Sequence, residues 1–207
     1  MSKYLQLNNL AKWQTKEIFG KARGNQQIDC IKANFDTVTL DYLSEKIINH
    51  LADSIRVECM DIEQSFRNQF NDFSFFTAPA YKAFEGFLFQ IADDLRLPSS
   101  GNTKFVGTYF DEEKVDQTID NLLLELEQKA NITTKLDKSE KEYVKDMIKE
   151  MKRFLHHYRH TPAHFQGEMI DTPEKATQNI HSIYRIINET TKTLLKASLL
   201  EINEELH

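Results

Sequence analysis

The chain has little punctuation. Six glycines and four prolines among 207 residues are too few for the turns of a strand-rich fold, which leaves long helices. Cysteine is as scarce: Cys30 and Cys59 match no metal or redox spacing and point to free thiols in a reducing cytoplasm rather than a disulfide scaffold. Long apolar runs are missing because charge interrupts each of them, so no membrane span is expected. Met1-Ser2-Lys3-Tyr4 leads into mixed polar sequence, so no secretory signal is expected either. Positive charge is not in excess. A net charge of −6 argues against a protein that coats nucleic acid nonspecifically, although it leaves room for an enzyme with a local positive site.

Hydrophobic residues make up 40% of the chain and charged residues 28%, which suits one sizeable domain with at most a short appendage. Residues 1–38 read as an N-terminal arm. Leu5, Leu7, Leu10 and Trp13 suggest a short helix, Gly20 and Gly24 interrupt it, and Ile28 to Val38 has room for a short strand. From Thr39 to the end, residues 39–207 read as one all-α bundle of about five long helices.

Apolar spacing of three and four carries that reading. Leu40, Leu43, Ile47, Leu51, Ile55, Cys59, Ile62, Phe66 and Phe70 predict one helix of roughly 30 residues. Thr77 is a candidate N-cap for a second helix, with Pro79 in its first turn and Ala80, Phe84, Phe87, Leu88, Ile91 and Leu95 as its stripe. Phe105 to Phe110 reads as an aromatic loop packed on the core. Asp111 can cap a helix bearing Val115, Ile119, Leu122, Leu123 and Leu126. Ser139 with Glu142 matches a capping box ahead of Val144, Met147, Ile148, Met151, Phe154, Leu155 and Tyr158. Thr172-Pro173-Glu174 opens the last helix, striped by Ala176, Ile180, Ile183, Ile187, Leu194, Leu195, Leu199 and Ile202. The stripes of the first and last helices suggest more apolar surface than one bundle must bury.

The segment Arg159-His160-Thr161-Pro162-Ala163-His164 combines two chemistries. Arginine offers a permanent charge in a flat donor fork suited to phosphate; histidine gains or loses a proton near neutral pH. In a continuous helix, residues five apart point about 140° away from each other. Pro162 disfavours helical geometry at Thr161, so the helix should end near Arg159 or His160 and let Arg159 and His164 converge. The plainer alternative is a solvated helix end whose Arg and His face the negative pole of the dipole. Lys145, Lys149, Lys152 and Arg153 lie in the same segment against only Asp146 and Glu150, so a local positive surface is expected. His156, His160 and His164 are four apart and have the spacing of metal ligands on one face, but Pro162 breaks that face and no nearby acid completes a site. No metal or cofactor is expected.

A second element is Tyr81-Lys82-Ala83-Phe84-Glu85-Gly86. Glu85 could orient a histidine, act as a base, or pair with Lys82 one turn earlier, an exposed pairing worth little.

Together these two elements resemble the HEPN ribonucleases, helical bundles marked by an Arg, four to six residues, then His, often with a polar residue after the Arg. Arg159, His160 and His164 fit that pattern. Within that superfamily the chain looks most similar to the RNase LS toxins of bacterial toxin–antitoxin systems, whose catalytic domain carries a Glu in a setting like that of Tyr81, Ala83, Glu85 and Gly86. The resemblance covers roughly residues 75–200. The resemblance implies an HEPN-like bundle and metal-independent cleavage of RNA. Glu85, Arg159 and His164 would be catalytic, and Lys82 and His160 would contact substrate. It also implies a protein antitoxin, a homodimer with both motifs on one cleft, and a cytoplasmic setting. Two departures stand out. The RNase LS toxins are longer, with N-terminal domains that this short arm does not match. HEPN proteins paired with nucleotidyltransferase antitoxins usually carry a Tyr two residues after the motif histidine, where Gln166 stands here, so inactivation by nucleotide transfer is not expected. The reading from a different class is a non-catalytic helical module that docks a partner on its last helix.

Overall fold

Helix starts in this chain are set by short polar side chains, and two of them differ from the sequence expectation. In the computed structural model, residues 31–58, 70–99, 105–129, 137–155 and 169–200 are described. The helices are α1 (Thr37–Tyr42), α2 (Glu45–Glu58), α3 (Ser74–Asp94), α4 (Glu112–Lys129), α5 (Lys138–Leu155) and α6 (Pro173–Lys196), with a single 3-10 turn over Val106–Tyr109. Among the described residues every regular element is helical, so the fold is all-α.

Helix α3 begins three residues before Thr77. The Asp72 carboxylate accepts the Ser74 amide at 2.9 Å and the Ser74 hydroxyl at 3.1 Å. Thr77 is buried and donates to the Ser74 carbonyl, so Pro79 lies inside the helix rather than at its opening turn. Burial of Phe73 and Phe76 draws this extra turn in. They form a small second core with Ile170 and Ala176, and the Phe73 amide donates to the Ile170 carbonyl at 2.7 Å. Helix α5 likewise starts early. Its capping box is Asp137 with Glu140, through reciprocal bonds of 2.9 and 3.0 Å, not Ser139 with Glu142. Asp beats Ser here because its carboxylate also accepts the Ser139 hydroxyl. The caps at Asp111 and Thr172 stand where the sequence puts them.

The long first helix is interrupted. Its stripe runs through α1 and α2, but the chain is extended at Leu43, and Gln90 of α3 holds both sides of the break. Gln90 accepts the Ser44 amide at 3.0 Å and donates to the Tyr42 carbonyl at 2.8 Å. Continuation of that stripe past Glu58 lies outside the described residues. Residues 31–34 are helical rather than strand, and Ile31 and Phe35 are buried in the main core; the end of the arm is part of the bundle.

Helices α2 and α3 form the most extensive pair, and α6 packs on α1, α3 and α5. Gly86 permits the first contact: a Cβ there would stand 3.1 Å from Ile47 Cγ1. Ile47, Leu51, Ile55, Phe84, Phe87, Leu88, Ile91, Ile180, Ile183 and Ile187 are all buried in one cluster, each worth about 2 kcal/mol. These residues of the α2 and α6 stripes are therefore buried within their own bundle. Tyr184 donates to Ser54 inside this core at 2.8 Å, satisfying both hydroxyls. No described helix is long and apolar enough to cross a membrane.

Candidate functional site

Helix α3 brings two of the expected site residues onto one face. At 100° per residue, Lys82, Glu85 and Phe89 fall within about 60° of arc, opposite the buried Phe84–Phe87–Leu88 side. Lys82 is exposed and Glu85 half-buried. Lys82 makes no ion pair among the described residues, so the plain reading of a Lys82–Glu85 pair does not hold. A carboxylate at such a position is a hydrogen-bond acceptor within reach of solvent.

The ring of Phe84, the residue before Glu85, meets Phe154 of α5 edge-on, with centroids 5.1 Å apart at 67°. Phe154 is the second-last described residue of α5, five positions before Arg159. The helix that bears Glu85 and the helix that leads to the Arg/His segment are thus in contact on the buried side of α3, one residue before Glu85 in sequence. Arg159, His160 and His164, with His156 and the expected helix end at Pro162, lie outside the described residues.

The positive surface expected on α5 is largely neutralised. Lys145 meets Asp120 at 2.6 Å, Lys149 meets Asp116 at 2.7 Å, and Arg153 meets Glu112 at 3.8 Å. Each rung joins α5 to α4. Lys145 is only 7% exposed, and the carboxylate of Asp120, outweighing the cost of burial, holds its ammonium above the ordinary lysine range; Asp116 does the same for Lys149. Counting charges along one segment missed these partners because they arrive from another helix. Lys152, which makes no ion pair among the described residues, escapes the ladder.

Two features were not singled out in the sequence. Phe89 is 38% exposed and meets Tyr109 of the 3-10 turn edge-on at 6.1 Å and 76°. Its signal was visible: Phe89 is out of phase with the apolar stripe of its own helix. The other feature is the Tyr42 hydroxyl donating to Asp94 at 2.6 Å. Burial raises the tyrosine far above its ordinary value, and burial also raises the Asp94 carboxyl. No spacing rule joins residues that far apart in sequence.

Comparison of the chain with protein-family models, with curated proteins and with solved structures finds no match in any of the three.

Proposed function

We propose that this protein is a metal-independent endoribonuclease of the HEPN type, and the toxin of a bacterial toxin–antitoxin pair. One observation supports the reading beyond the sequence motif: Phe84 and Phe154 touch, so the helix that bears Glu85 meets, on its buried side, the helix that leads to Arg159. Five residues span at most about 18 Å, which keeps Arg159 within a short chain length of that contact.

In this reading the RNA 2′-hydroxyl attacks the adjacent phosphorus. The bond from phosphorus to the 5′-oxygen breaks, leaving a 2′,3′-cyclic phosphate and a 5′-hydroxyl. His164 takes the 2′-hydroxyl proton or supplies the proton that the leaving oxygen needs, since its ordinary pKa of about 6.5 suits both roles. Arg159 stabilises charge on the phosphoryl oxygens. Glu85 orients His164, while Lys82 and His160 hold phosphate. A second copy of the chain supplies the facing motif, and a cognate protein antitoxin blocks it.

The rival module that docks a partner through its last helix has less to stand on, because Ile180, Ile183, Ile187 and Leu194 of that stripe are buried within the chain.

The deciding experiment is cleavage of a labelled RNA by the full chain and by Arg159→Ala and His164→Ala, with circular dichroism of each. Loss of cleavage with unchanged helicity is expected in both variants. Full activity in both would remove the ribonuclease reading.

A further inference from the structure

The exposed ring on α3 has a chemistry that the cleavage residues do not use. Phe89 lies four residues after Glu85 and seven after Lys82, on the same face. Along the axis that is about 6 Å and about 10 Å. Its ring is not left to swing: Tyr109 holds it edge-on. Tyr109 in turn is fixed by the turn that carries it. Val106 and Phe110 on either side are buried, and Thr108 is tied to the Phe105 carbonyl at 2.7 Å and to the Ser99 hydroxyl at 2.8 Å. The result is a braced aromatic pair, Phe89 exposed and Tyr109 half-buried against the core, on the same helix face as a carboxylate and a lysine.

We propose that Phe89 and Tyr109 form a nucleobase-stacking subsite for single-stranded RNA, one helical turn from Glu85. The assignment rests on the ribonuclease reading of that site. A base lifted from a strand offers a flat π-face, and stacking on an aromatic side chain is the common way to hold it whatever its identity. The order along α3 fits a nucleotide. Lys82 supplies positive charge for a phosphate, Glu85 stands between, and the rings lie at the far end. Asp93, exposed one turn beyond Phe89, repels phosphate there and favours a backbone that runs toward Lys82. The subsite also answers a difficulty of charge. With Lys145 and Lys149 of α5 neutralised by α4, stacking supplies affinity that a chain of net charge −6 does not obtain from its field.

The test uses the full chain and a short fluorescent single-stranded RNA whose 2′-oxygens are methylated, so that it binds but is not cut. An abasic strand of the same length is the control. Phe89→Leu keeps apolar bulk and removes the π-face, and Phe89→Trp restores one. Fluorescence anisotropy should show Phe89→Leu binding the base-bearing strand about tenfold more weakly, Phe89→Trp binding it like the parent, and all three binding the abasic strand alike. Equal binding of the base-bearing strand by Phe89→Leu and the parent would overturn the subsite, as would an equal loss on the abasic strand. So would unchanged RNA binding by a Phe89→Leu chain that no longer binds its purified antitoxin, which would make the pair a protein interface. Cleavage of unmodified RNA by the parent and by Arg159→Ala runs alongside. If Arg159-dependent cleavage persists without any Phe89 effect, the subsite alone fails. If Phe89-dependent binding persists without any cleavage, the ribonuclease reading alone fails.

Discussion

The Tyr42 hydroxyl donates to the Asp94 carboxylate at 2.6 Å, and the two residues clamp the end of α3 onto α1 just before the break at Leu43. Because burial raises the Asp94 carboxyl above its unfolded value, its contribution to stability is fully present below that unfolded value and is lost as pH rises through the folded one. Asp36 behaves oppositely. Hydrogen bonds from Lys192 and Asn188 lower its carboxyl, so its contribution is present above the unfolded value, near 3.9, and is lost as pH falls through the folded one. Urea midpoints between pH 3 and 8 should separate the two. Asp94→Asn should match or slightly exceed the parent at pH 7 and lose that advantage in acid. Asp36→Asn should be weaker at pH 7, by up to about 1 kcal/mol for an exposed pair, and should converge with the parent in acid. Tyr42→Phe should cost about 1–2 kcal/mol at pH 7, because it strands the carboxylate.

Two helix ends carry a removable strain. Arg96 and Ser198 adopt φ of 52° and 57°, where glycine is favoured. Both sit in the same closing motif, with Leu97 donating to Ala92 at 2.8 Å and Leu199 to Leu194 at 3.0 Å. Arg96→Gly should raise stability by about 1 kcal/mol, seen as a higher thermal midpoint. A lower midpoint would mean that the Arg96 side chain makes a contribution larger than the strain.

The chemistry makes a prediction of its own. Cleavage that relies on Arg159 and His164 should continue in EDTA, and its products should end in cyclic phosphate. Activity lost in EDTA and restored by zinc or manganese would instead favour the histidine spacing of His156, His160 and His164 as a metal site.

The helical class, the stripes of α3, α5 and α6, and the caps at Asp111 and Thr172 were legible because each depends on residues near one another in sequence. The starts of α3 and α5 were misplaced by four and two residues, since Thr77 and Ser139 match a cap pattern while Asp72 and Asp137 make the stronger bonds. The break at Leu43 was invisible: the apolar period runs straight through it, and the residue that enforces it, Gln90, is over forty positions away. The α4 acids that answer Lys145 and Lys149 were hidden for the same reason. At the candidate site, Glu85 and Lys82 were found from their local setting. Phe89 was passed over although it is out of phase with the stripe of its own helix, because its partner Tyr109 comes from another element.

The proposed ribonuclease function makes a prediction about assembly. One Arg/His pair on a chain with net charge −6 offers a polyanion little, whereas two facing copies double the local positive charge. The protein should therefore be a two-fold dimer, with Arg159 and His164 of both chains on one cleft. Light scattering at micromolar concentration checks this; a monomer cleaving RNA at full rate would exclude it. Since Ile47, Leu51, Ile55, Ile180, Ile183 and Ile187 are buried inside the bundle, the dimer contact should not use them, and polar substitutions there should unfold the chain rather than dissociate it.

The ladder between α4 and α5 has a degenerate register. Its acids stand at 112, 116 and 120 and its bases at 145, 149 and 153, each set repeating once per turn. Sliding one helix past the other by a turn, about 5.4 Å, would re-form two of the three rungs with new neighbours. Charge alone therefore works as a rack along which the hairpin could settle at more than one notch. What picks the notch is shape: Val115 and Ile119 on one helix and Val144, Ile148 and Met151 on the other are all buried, and a one-turn offset would leave part of each row without a neighbour. Apolar fit in a few core positions thus sets where α5 stands along α4, and with it where Phe154 meets Phe84.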